Sequence, residues 1–205
     1  MLNDELTPAD PCDLTLDPET ANSWLLLSED LQKVTVSDRW LNYPDNPQRF
    51  NAELQVLCSH GLTGRHRFDV DWMSADNRHT VGVGLAYKSI PRKGTARAPF
   101  GRNRVSWFFA LERDALNAWH DGEMWSYNVP NEGFEKVRVC LDYEEGVLSF
   151  YLVSEDSVDH VHTFRTKFTE ALYPGLCARF TSSYAAFCNV SQTPKTPAEP
   201  PPNHP

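Results

Sequence analysis

Apolar and polar side chains alternate at every second residue over much of the chain, as they do in half-buried β-strands. The clearest run is 67–72, in which Phe68, Val70 and Trp72 share one face and charged side chains occupy the other. Short runs of this kind, separated by turn residues, are typical of a sandwich or a barrel. The pattern predicts strands at 67–72, 80–87, 105–111, 116–120, 123–127, 136–142, 147–153, 159–164, 173–180 and 184–190.

Two short stretches favour a turn of helix instead of a strand. One is residues 45–52, and the other is residues 166–172, where Phe168 and Leu172 follow a threonine at helical spacing. Pro174 then prevents a longer helix. The sequence therefore predicts an all-β chain with one or two short helical turns.

The length of 205 residues suits one large domain between two polar ends. We expect a disordered N-terminal segment at 1–11, which is polar and acidic, and a disordered Pro-rich tail at 191–205, which has no large apolar side chain. The folded domain is then expected at 12–190. No signal-peptide pattern is visible, and no apolar run approaches transmembrane length.

Charge and cysteine content narrow the function classes. The net charge of -9 argues against a nucleic-acid-binding surface, which needs a basic face. The 5 cysteines are odd in number and form no C-x-x-C pair, so neither a disulfide framework nor a zinc ribbon is predicted. The simplest interpretation is a set of reduced, mostly buried thiols in a cytoplasmic protein.

The residues that most suggest catalysis or metal binding lack the spacing that such sites need. Gly82 and Gly84 lie within a strand pattern, without a phosphate-loop sequence or a following helix. His160 and His162 are expected on one exposed, polar strand face, with no second ligand pair for zinc. No G-x-S-x-G nucleophile elbow is present. We therefore predict no catalytic residue, no metal site and no cofactor.

The strongest functional candidate is the basic loop, residues 89–104. It carries no acidic residue although the protein as a whole is acidic. A loop of this length inside a compact domain is usually functional or disordered. It would attract an acidic partner and offer bidentate arginine contacts, whereas the alternative is a solvated run of charge. The cations of the loop are Arg92, Lys93, Arg97, Arg102 and Arg104.

A second candidate loop, residues 36–48, carries Trp40 and Tyr43. These two side chains either pack back on the core or serve as apolar anchors for a partner, and the sequence leaves both alternatives open. Trp107 is expected in the core because it lies in a nearly continuous apolar strand. Trp125 could face either way because its strand belongs to a hairpin.

The order of several motifs resembles the PRY-SPRY domain family across the whole folded block. The most specific match is the hairpin sequence at 141–151, and the chain departs from the family pattern at Arg67, where an aromatic is usual, and at Ala171, where proline is commoner. The matching motifs are LTLDPETAN (14–22), LLLSED (25–30), VGVGLA (81–86), IPRKG (90–94), LDYEEGVLSFY (141–151) and FTEALYPG (168–175).

The resemblance implies a fold and a class of function. The fold is a two-sheet antiparallel β-sandwich of the SPRY type, a concanavalin-like jelly roll, with PRY at about 12–62 and SPRY at about 63–190. The implied function is non-catalytic recognition of a protein partner, in a domain that is monomeric when isolated and belongs to an innate-immunity protein. The motifs look closest to those of fish tripartite-motif ubiquitin ligases and NOD-like receptors. Two alternatives stay open: the substrate receptor of a RING-type ubiquitin ligase, and a fragment of a stonefish-toxin-like pore-forming subunit.

The resemblance also implies where a partner would bind. Family members use variable loops at one end of the sandwich, and the basic loop occupies one of these positions. Family pockets draw in addition on the strand that begins at Trp107 and on the segment after Tyr173. The residues thus expected to bind a partner with an acidic surface are Trp40, Tyr43, Arg92, Lys93, Arg97, Arg102, Ala110, Glu112, Leu176 and Arg179.

Overall fold

The computed structural model describes residues 10–11, 13–74, 80–94, 96–131 and 133–188. Within these ranges the chain forms fourteen strands and no helix. The strands are β1 (Asp10–Pro11), β2 (Leu25–Leu27), β3 (Lys33–Val36), β4 (Gln55–Leu57), β5 (Arg65–Met73), β6 (Val81–Ala86), β7 (Ser106–Glu112), β8 (Ala115–His120), β9 (Glu123–Asn128), β10 (Lys136–Asp142), β11 (Val147–Val153), β12 (Val158–Arg165), β13 (Tyr173–Ala178) and β14 (Tyr184–Cys188).

The strands form two sheets that pack face to face. The larger sheet has the order β12-β11-β10-β5-β14-β3-β2, and β1 adds to it by pairing with β5. The smaller sheet has the order β4-β13-β6-β7-β8-β9. Apart from the short parallel pair β1–β5, the strand pairs are antiparallel. The predicted two-sheet antiparallel β-sandwich is confirmed.

The sandwich has two apolar clusters, one on each face of the smaller sheet. In β7, Trp107 and Phe109 enter the main core between the sheets, whereas Phe108 and Ala110 enter a second cluster on the outer face. Phe109 stacks on Phe150 of the opposite sheet, with ring centroids 4.9 Å apart. Full burial of side chains of this size contributes about 1.5–3 kcal/mol each to folding. The second cluster is the one that positions the candidate site.

All ten strands expected from alternation are present, with ends shifted by at most two residues. The strands β1 to β4 were not predicted individually. They have only two to four residues each, and β4 is buried on both faces, so it shows no alternation. Trp107 lies in the core as expected.

The expected helical turns are absent at both predicted places, and the prediction of helix there is wrong. At 45–52 the Asn46 side chain accepts the N–H groups of Gln48 and Arg49, which forms a local turn instead of a helix. At 166–172 the chain is extended. Leu172 exchanges backbone hydrogen bonds with Leu62, an isolated antiparallel bridge that competes with helical bonding.

The prediction that His160 and His162 share an exposed face is also wrong. The register between β11 and β12 shifts by one residue at this point, so that Phe150 stands opposite His162 while Tyr151 stands opposite His160. This β-bulge turns the His162 side chain into the sandwich, where it is buried, and leaves His160 exposed.

One part of the predicted N-terminal disordered segment is ordered. Asp10–Pro11 pair with His66 and Arg67 of β5, next to the stretch of β5 that pairs with β14. Residues 1–9 and the tail at 191–205 lie outside the described residues, as do both ends of the expected 12–190 domain. The expectations for those segments therefore stay predictions.

Candidate partner-binding cleft

The basic loop folds onto the outer face of the smaller sheet, and Phe100 is its main attachment. The Phe100 ring contacts Phe108 with centroids 5.8 Å apart. Two strand glycines make room for it, because a Cβ on Gly84 would lie 2.6 Å from Cγ of Phe100 and a Cβ on Gly175 would lie 2.6 Å from its Cζ. Gly84 of the VGVG motif therefore serves close packing of the loop, whereas a Cβ on Gly82 would meet Phe109 and Ala110 of β7.

Buried amide side chains fix the backbone of the basic loop. Gln55, on β4, donates from Nε2 to the carbonyl of Ala98 at 2.6 Å and accepts the N–H of Phe100 at 3.1 Å. Asn103 donates from Nδ2 to the carbonyl of Arg97 at 2.8 Å. Because these bonds satisfy backbone groups that are buried, they hold the loop in a defined conformation.

A cleft of about 360 Å³ opens beside the basic loop. Aromatic rings line its apolar part, and charged side chains of both signs line the rest. Clefts that combine apolar area with a few fixed polar groups are the usual form of a binding site. The lining residues are Glu53, Ala96, Pro99, Phe100, Arg102, Phe108, Glu112, Trp119 and Arg179.

The carboxylate of Glu112 organises one wall of the cleft. It accepts hydrogen bonds from Trp119 Nε1 at 2.7 Å, from Asn117 Nδ2 at 3.1 Å and from Thr80 Oγ1 at 3.2 Å. Three neutral donors therefore satisfy the oxygens of Glu112, and the bond from Trp119 fixes the orientation of its ring.

The second acid of the cleft is paired as well. Glu53, whose side chain is only 10% exposed, accepts from Arg179 Nη2 at 2.7 Å. By contrast, the guanidinium carbon of Arg102 lies 3.4 Å from the centre of the Trp119 ring. Among the described residues no carboxylate pairs with Arg102, and Arg97 is exposed on the same loop. The lining therefore holds two acids and two arginines, and Arg97 beside it adds a cation that has no carboxylate partner among the described residues.

Three residues that the sequence selected for partner binding meet at this cleft. Arg102 comes from the basic loop, Glu112 from the end of β7 and Arg179 from the residue after β13. Arg97 belongs to the same loop, next to the lining residue Ala96. The spacing of these three residues in the sequence did not predict that they meet, because they come from separate parts of the chain.

Arg92 and Lys93, expected in the same role, instead attach the basic loop to the rest of the domain. Arg92 donates to the backbone carbonyls of Gln48, Lys88 and Ile90, and burial lowers the pKa of its guanidinium. Its guanidinium carbon also lies 5.0 Å from the centre of the Phe50 ring.

The ammonium group of Lys93 pairs with Asp45 at 2.6 Å and donates to the carbonyl of Asn46 at 2.8 Å. The Lys93–Asp45 ion pair, together with the bond from Arg92 to Gln48, joins the basic loop to the 36–48 loop. Neither cation lines the cleft among the described residues.

Two other expected partner-binding residues, Ala110 and Leu176, have buried side chains. Ala110 is fully buried in the outer cluster beneath the cleft, and Leu176 is fully buried in the main core. Leu176 faces the opposite sheet, whereas Ala110 faces outward and is covered by the outer cluster. Neither side chain is accessible to a partner in this structure.

Trp40 and Tyr43 lie apart from the residues that line the cleft. Tyr43 is partly buried, donates its hydroxyl to the carbonyl of Leu25 at 2.8 Å and lies under the Arg49 guanidinium. Tyr43 therefore packs on the domain. Of the two alternatives, packing on the core or anchoring a partner, the structure favours the first for this side chain. Trp40 is exposed and makes an edge-to-face contact with Trp24.

Several cleft residues were missed from the sequence. Phe100, Phe108 and Trp119 looked like ordinary apolar residues, and Glu53 lay outside every motif. The one available signal was the aromatic Phe100 inside an otherwise polar, cationic loop, which marks a residue that must pack against something.

Cysteine and histidine do not form a metal centre in the described part of the chain, where no group of three or more potential ligands comes together. Cys140, Cys177 and Cys188 are free thiols. Burial raises the pKa of the Cys140 thiol to about 11, so the thiol stays protonated near neutral pH. No helix among the described residues is long and apolar enough to cross a membrane.

The comparisons with known proteins agree with this fold. Residues 14–62 match the model of the PRY, or SPRY-associated, domain, and residues 65–190 match the model of the SPRY domain. The chain therefore belongs to the PRY-SPRY family. SPRY domains are non-catalytic modules that generally mediate protein–protein binding.

Similar proteins fall into two groups. The chain is 41% identical over 169 residues to neoverrucotoxin subunit alpha of Synanceia verrucosa, a match that spans 81% of this chain and 23% of the toxin subunit. It is 41% identical over 168 residues to tripartite motif-containing protein 14 of Mus musculus, spanning 79% of this chain and 36% of that protein. The chain thus corresponds to a minor part of these relatives.

Solved structures show the same two groups. A stonustoxin structure superposes with a TM-score of 0.78 at 37% identity, covering 87% of this chain and 29% of the toxin chain. The TRIM65 PSpry domain superposes with a TM-score of 0.76 at 27% identity, covering 87% of this chain and 90% of that domain.

Proposed function

We propose that the cleft beside the basic loop binds a protein partner through a segment that carries a carboxylate next to an apolar side chain. The observation that carries this proposal is the unpaired Arg102 stacked on Trp119 at 3.4 Å. An arginine stacked on an indole keeps its edge N–H groups free for a carboxylate. The exposed Ala96 and the half-buried Pro99 beside it supply apolar surface, and the buried rings of Phe100 and Phe108 support them.

Electrostatics support an acidic ligand at this site. Glu53 is paired with Arg179 and Glu112 is hydrogen-bonded by three neutral donors, whereas Arg97 and Arg102 have no carboxylate partner among the described residues. A carboxylate that approaches the rim thus meets two unpaired cations, while the oxygens of Glu112 are already bonded to donors of the domain. Charge-assisted hydrogen bonds of this kind contribute about 1.5–3 kcal/mol each. The fixed backbone of the basic loop adds affinity because little ordering is required on binding.

A random-sequence dodecapeptide library displayed on phage tests this proposal. We expect selection on the wild-type domain to enrich peptides that carry Asp or Glu beside an aromatic or aliphatic residue. Affinity of the enriched peptides should fall at least tenfold, equivalent to about 1.4 kcal/mol, in the Arg97→Glu/Arg102→Glu variant. Lys167→Glu, an exposed charge reversal outside the cleft, is the matched control. Equal binding to all three proteins would refute the proposal.

We further propose that the domain is the target-recognition part of a longer cytoplasmic protein of innate immunity. The tripartite-motif relatives and the free thiols support this assignment. On this proposal the isolated domain is monomeric, and in the longer protein it presents substrates to a RING-type ubiquitin ligase. An upstream RING and coiled coil in the coding sequence would support the ligase role, whereas an upstream nucleotide-binding domain would favour a NOD-like receptor.

The toxin relatives support a second candidate, a piece of a pore-forming subunit. The four stonefish toxin subunits are 39% to 41% identical to this chain over about four fifths of its length. Leakage of a fluorescent dye from liposomes exposed to the full-length parent protein would favour this role. Intact liposomes, together with ubiquitin transfer by the same protein, would exclude it.

A further inference from the structure

An apolar patch lies on the outer face of the larger sheet at its β2 edge, apart from the residues that line the cleft. It consists of Trp24, Leu26 and Trp40, which we call the edge patch. The side chains are 37%, 53% and 52% exposed, respectively. The two indole rings stand nearly perpendicular, at 77°, with centroids 5.8 Å apart. None of the three residues lines the cleft.

The edge patch is built into the fold. The carbonyl of Trp24 accepts the N–H of Ser37 at 2.8 Å, and the N–H of Trp24 donates to Oδ1 of Asn22 at 2.9 Å. On the other side of Trp40, the N–H of Leu41 donates to the carbonyl of Ser23 at 2.9 Å. The backbone is therefore fixed on both sides of each tryptophan, and the rings form a preformed surface.

The edge patch is limited to the β2 edge of the sheet. Leu26 stands opposite Thr35 on β3, and Thr35 stands opposite Tyr184, the first residue of β14. Thr35 and Tyr184 are half-buried, and the Lys33 ammonium lies 4.0 Å from the centre of the Tyr184 ring. Polar groups therefore bound the patch on this side, and an exposed apolar patch with a polar rim usually marks an interaction site.

We propose that the occupant of the edge patch is this chain's own Pro-rich tail, residues 191–205. Exposed indole rings set at an angle are the usual receptors for proline-rich segments, which dock with little loss of conformational entropy. The tail has six prolines among its fifteen residues, SQTPKTPAEPPPNHP. This inference does not depend on the function proposed for the cleft.

The tail is long enough to reach the patch. At the end of β14 the N–H of Phe187 donates to the carbonyl of Gln32. Ser37, beside Trp24, is five residues after Gln32, which is about 17 Å along the strand direction. Across the sheet, β2 lies two strand spacings from β14, which is about 10 Å. The separation is therefore about 20 Å. A polyproline II segment at about 3.1 Å per residue covers it in six to seven residues.

To reach the patch, the chain has to turn back after β14. If it turns within 189–193, the polyproline II segment starts near Pro194. Six to seven residues from there, Pro200, Pro201 and Pro202 would lie at the tryptophan pair. Because the segment is tethered, its effective concentration at the patch is in the millimolar range. An interaction with a dissociation constant in the millimolar range would then be substantially occupied within one chain.

Fluorine NMR of the full chain labelled with 5-fluorotryptophan tests the proposal. Trp24→Phe and Trp40→Phe variants assign the two resonances, and the difference between their shifts in H₂O and D₂O reports solvent exposure. The test variant replaces all six tail prolines by serine: Pro194, Pro197, Pro200, Pro201, Pro202 and Pro205. We expect both resonances to move and to become more solvent-sensitive in this variant, while the resonance of buried Trp107 stays unchanged.

A matched control keeps the prolines and replaces Lys195 and Glu199 by serine, and its spectrum should remain that of the wild type. A synthetic peptide of residues 191–205, added at about 5 mM to the proline-free variant, should return both resonances toward their wild-type positions. Identical exposure of Trp24 and Trp40 with and without the prolines would overturn the proposal. Resonances that shift with protein concentration in both proteins would also overturn it, because they would assign the patch to a second copy of the chain.

Discussion

Replacing Gln55 by leucine should loosen the basic loop without disturbing the sandwich. Gln55 is fully buried, donates to the Ala98 carbonyl at 2.6 Å and accepts the Phe100 N–H at 3.1 Å. Leucine has a similar size, so the substitution mainly removes the two hydrogen bonds. A buried backbone group left without a partner costs about 1–3 kcal/mol. The two together should lower the free energy of unfolding by about 2–6 kcal/mol, less whatever the loop recovers by moving into water.

Hydrogen exchange measures the loosening of the basic loop, and urea denaturation measures the loss of global stability. Because the basic loop can detach from the smaller sheet, we expect the Phe100 amide to lose protection at least tenfold, which corresponds to about 1.4 kcal/mol. Amides in the middle of β10 and β11 should lose protection only as far as global stability falls. Binding of the peptides selected by the cleft should weaken in parallel.

Gln48→Leu is the control, because the Gln48 side chain is exposed and its backbone carbonyl alone contacts Arg92. It should leave the Phe100 amide and the urea midpoint unchanged. If Gln55→Leu also left both unchanged, the buried amide would not be what holds the loop, and the account of a preformed cleft would be wrong.

Three further predictions concern the sandwich itself. Burial, and next the charge of His160, lower the pKa of His162 from 6.5 to about 4. The contribution of His162 to stability is therefore complete above pH 6.5 and is lost as the pH falls toward 4. In urea denaturation, His162→Leu should flatten this part of the pH profile of stability, by at most about 3 kcal/mol. Arg138→Met should cost about 1–3 kcal/mol in urea denaturation, because it removes two charge-assisted bonds to Asp69, at 2.8 and 2.9 Å, from a partly buried site. Gly84→Ala should cost about 1–3 kcal/mol and broaden the NMR signals of the basic loop, since its Cβ would collide with the Phe100 ring.

The sequence was sufficient to predict the sandwich because its signal is local. Strands such as β10 and β11 carry their own alternation, and the turn between them is marked by Gly146. The errors arose where a local pattern was altered by a neighbour. The bulge opposite Phe150 reversed the orientation of His162, and the bridge between Leu62 and Leu172 replaced an expected helical turn.

The cleft was predictable only in part, because its contacts join distant segments. Arg102 stood out through the charge of its loop, but the Glu53–Arg179 pair spans 126 residues and left no local trace. Family position selected the correct strand for Ala110 and Leu176, yet it did not show that these side chains are buried. Arg92 and Lys93 looked like free cations, and only the fold shows that backbone carbonyls and Asp45 engage them.

The central claim is that the cleft is the surface that contacts a partner. Photo-crosslinking with p-benzoylphenylalanine at position 97, on the cleft rim, tests it most directly, with the same amino acid at exposed position 156 as the reference site. The account predicts that a library-selected acidic peptide crosslinks at position 97, and that Arg102→Glu in the same chain abolishes the crosslink. Efficient crosslinking at position 156, or crosslinking at position 97 that survives Arg102→Glu, would contradict it.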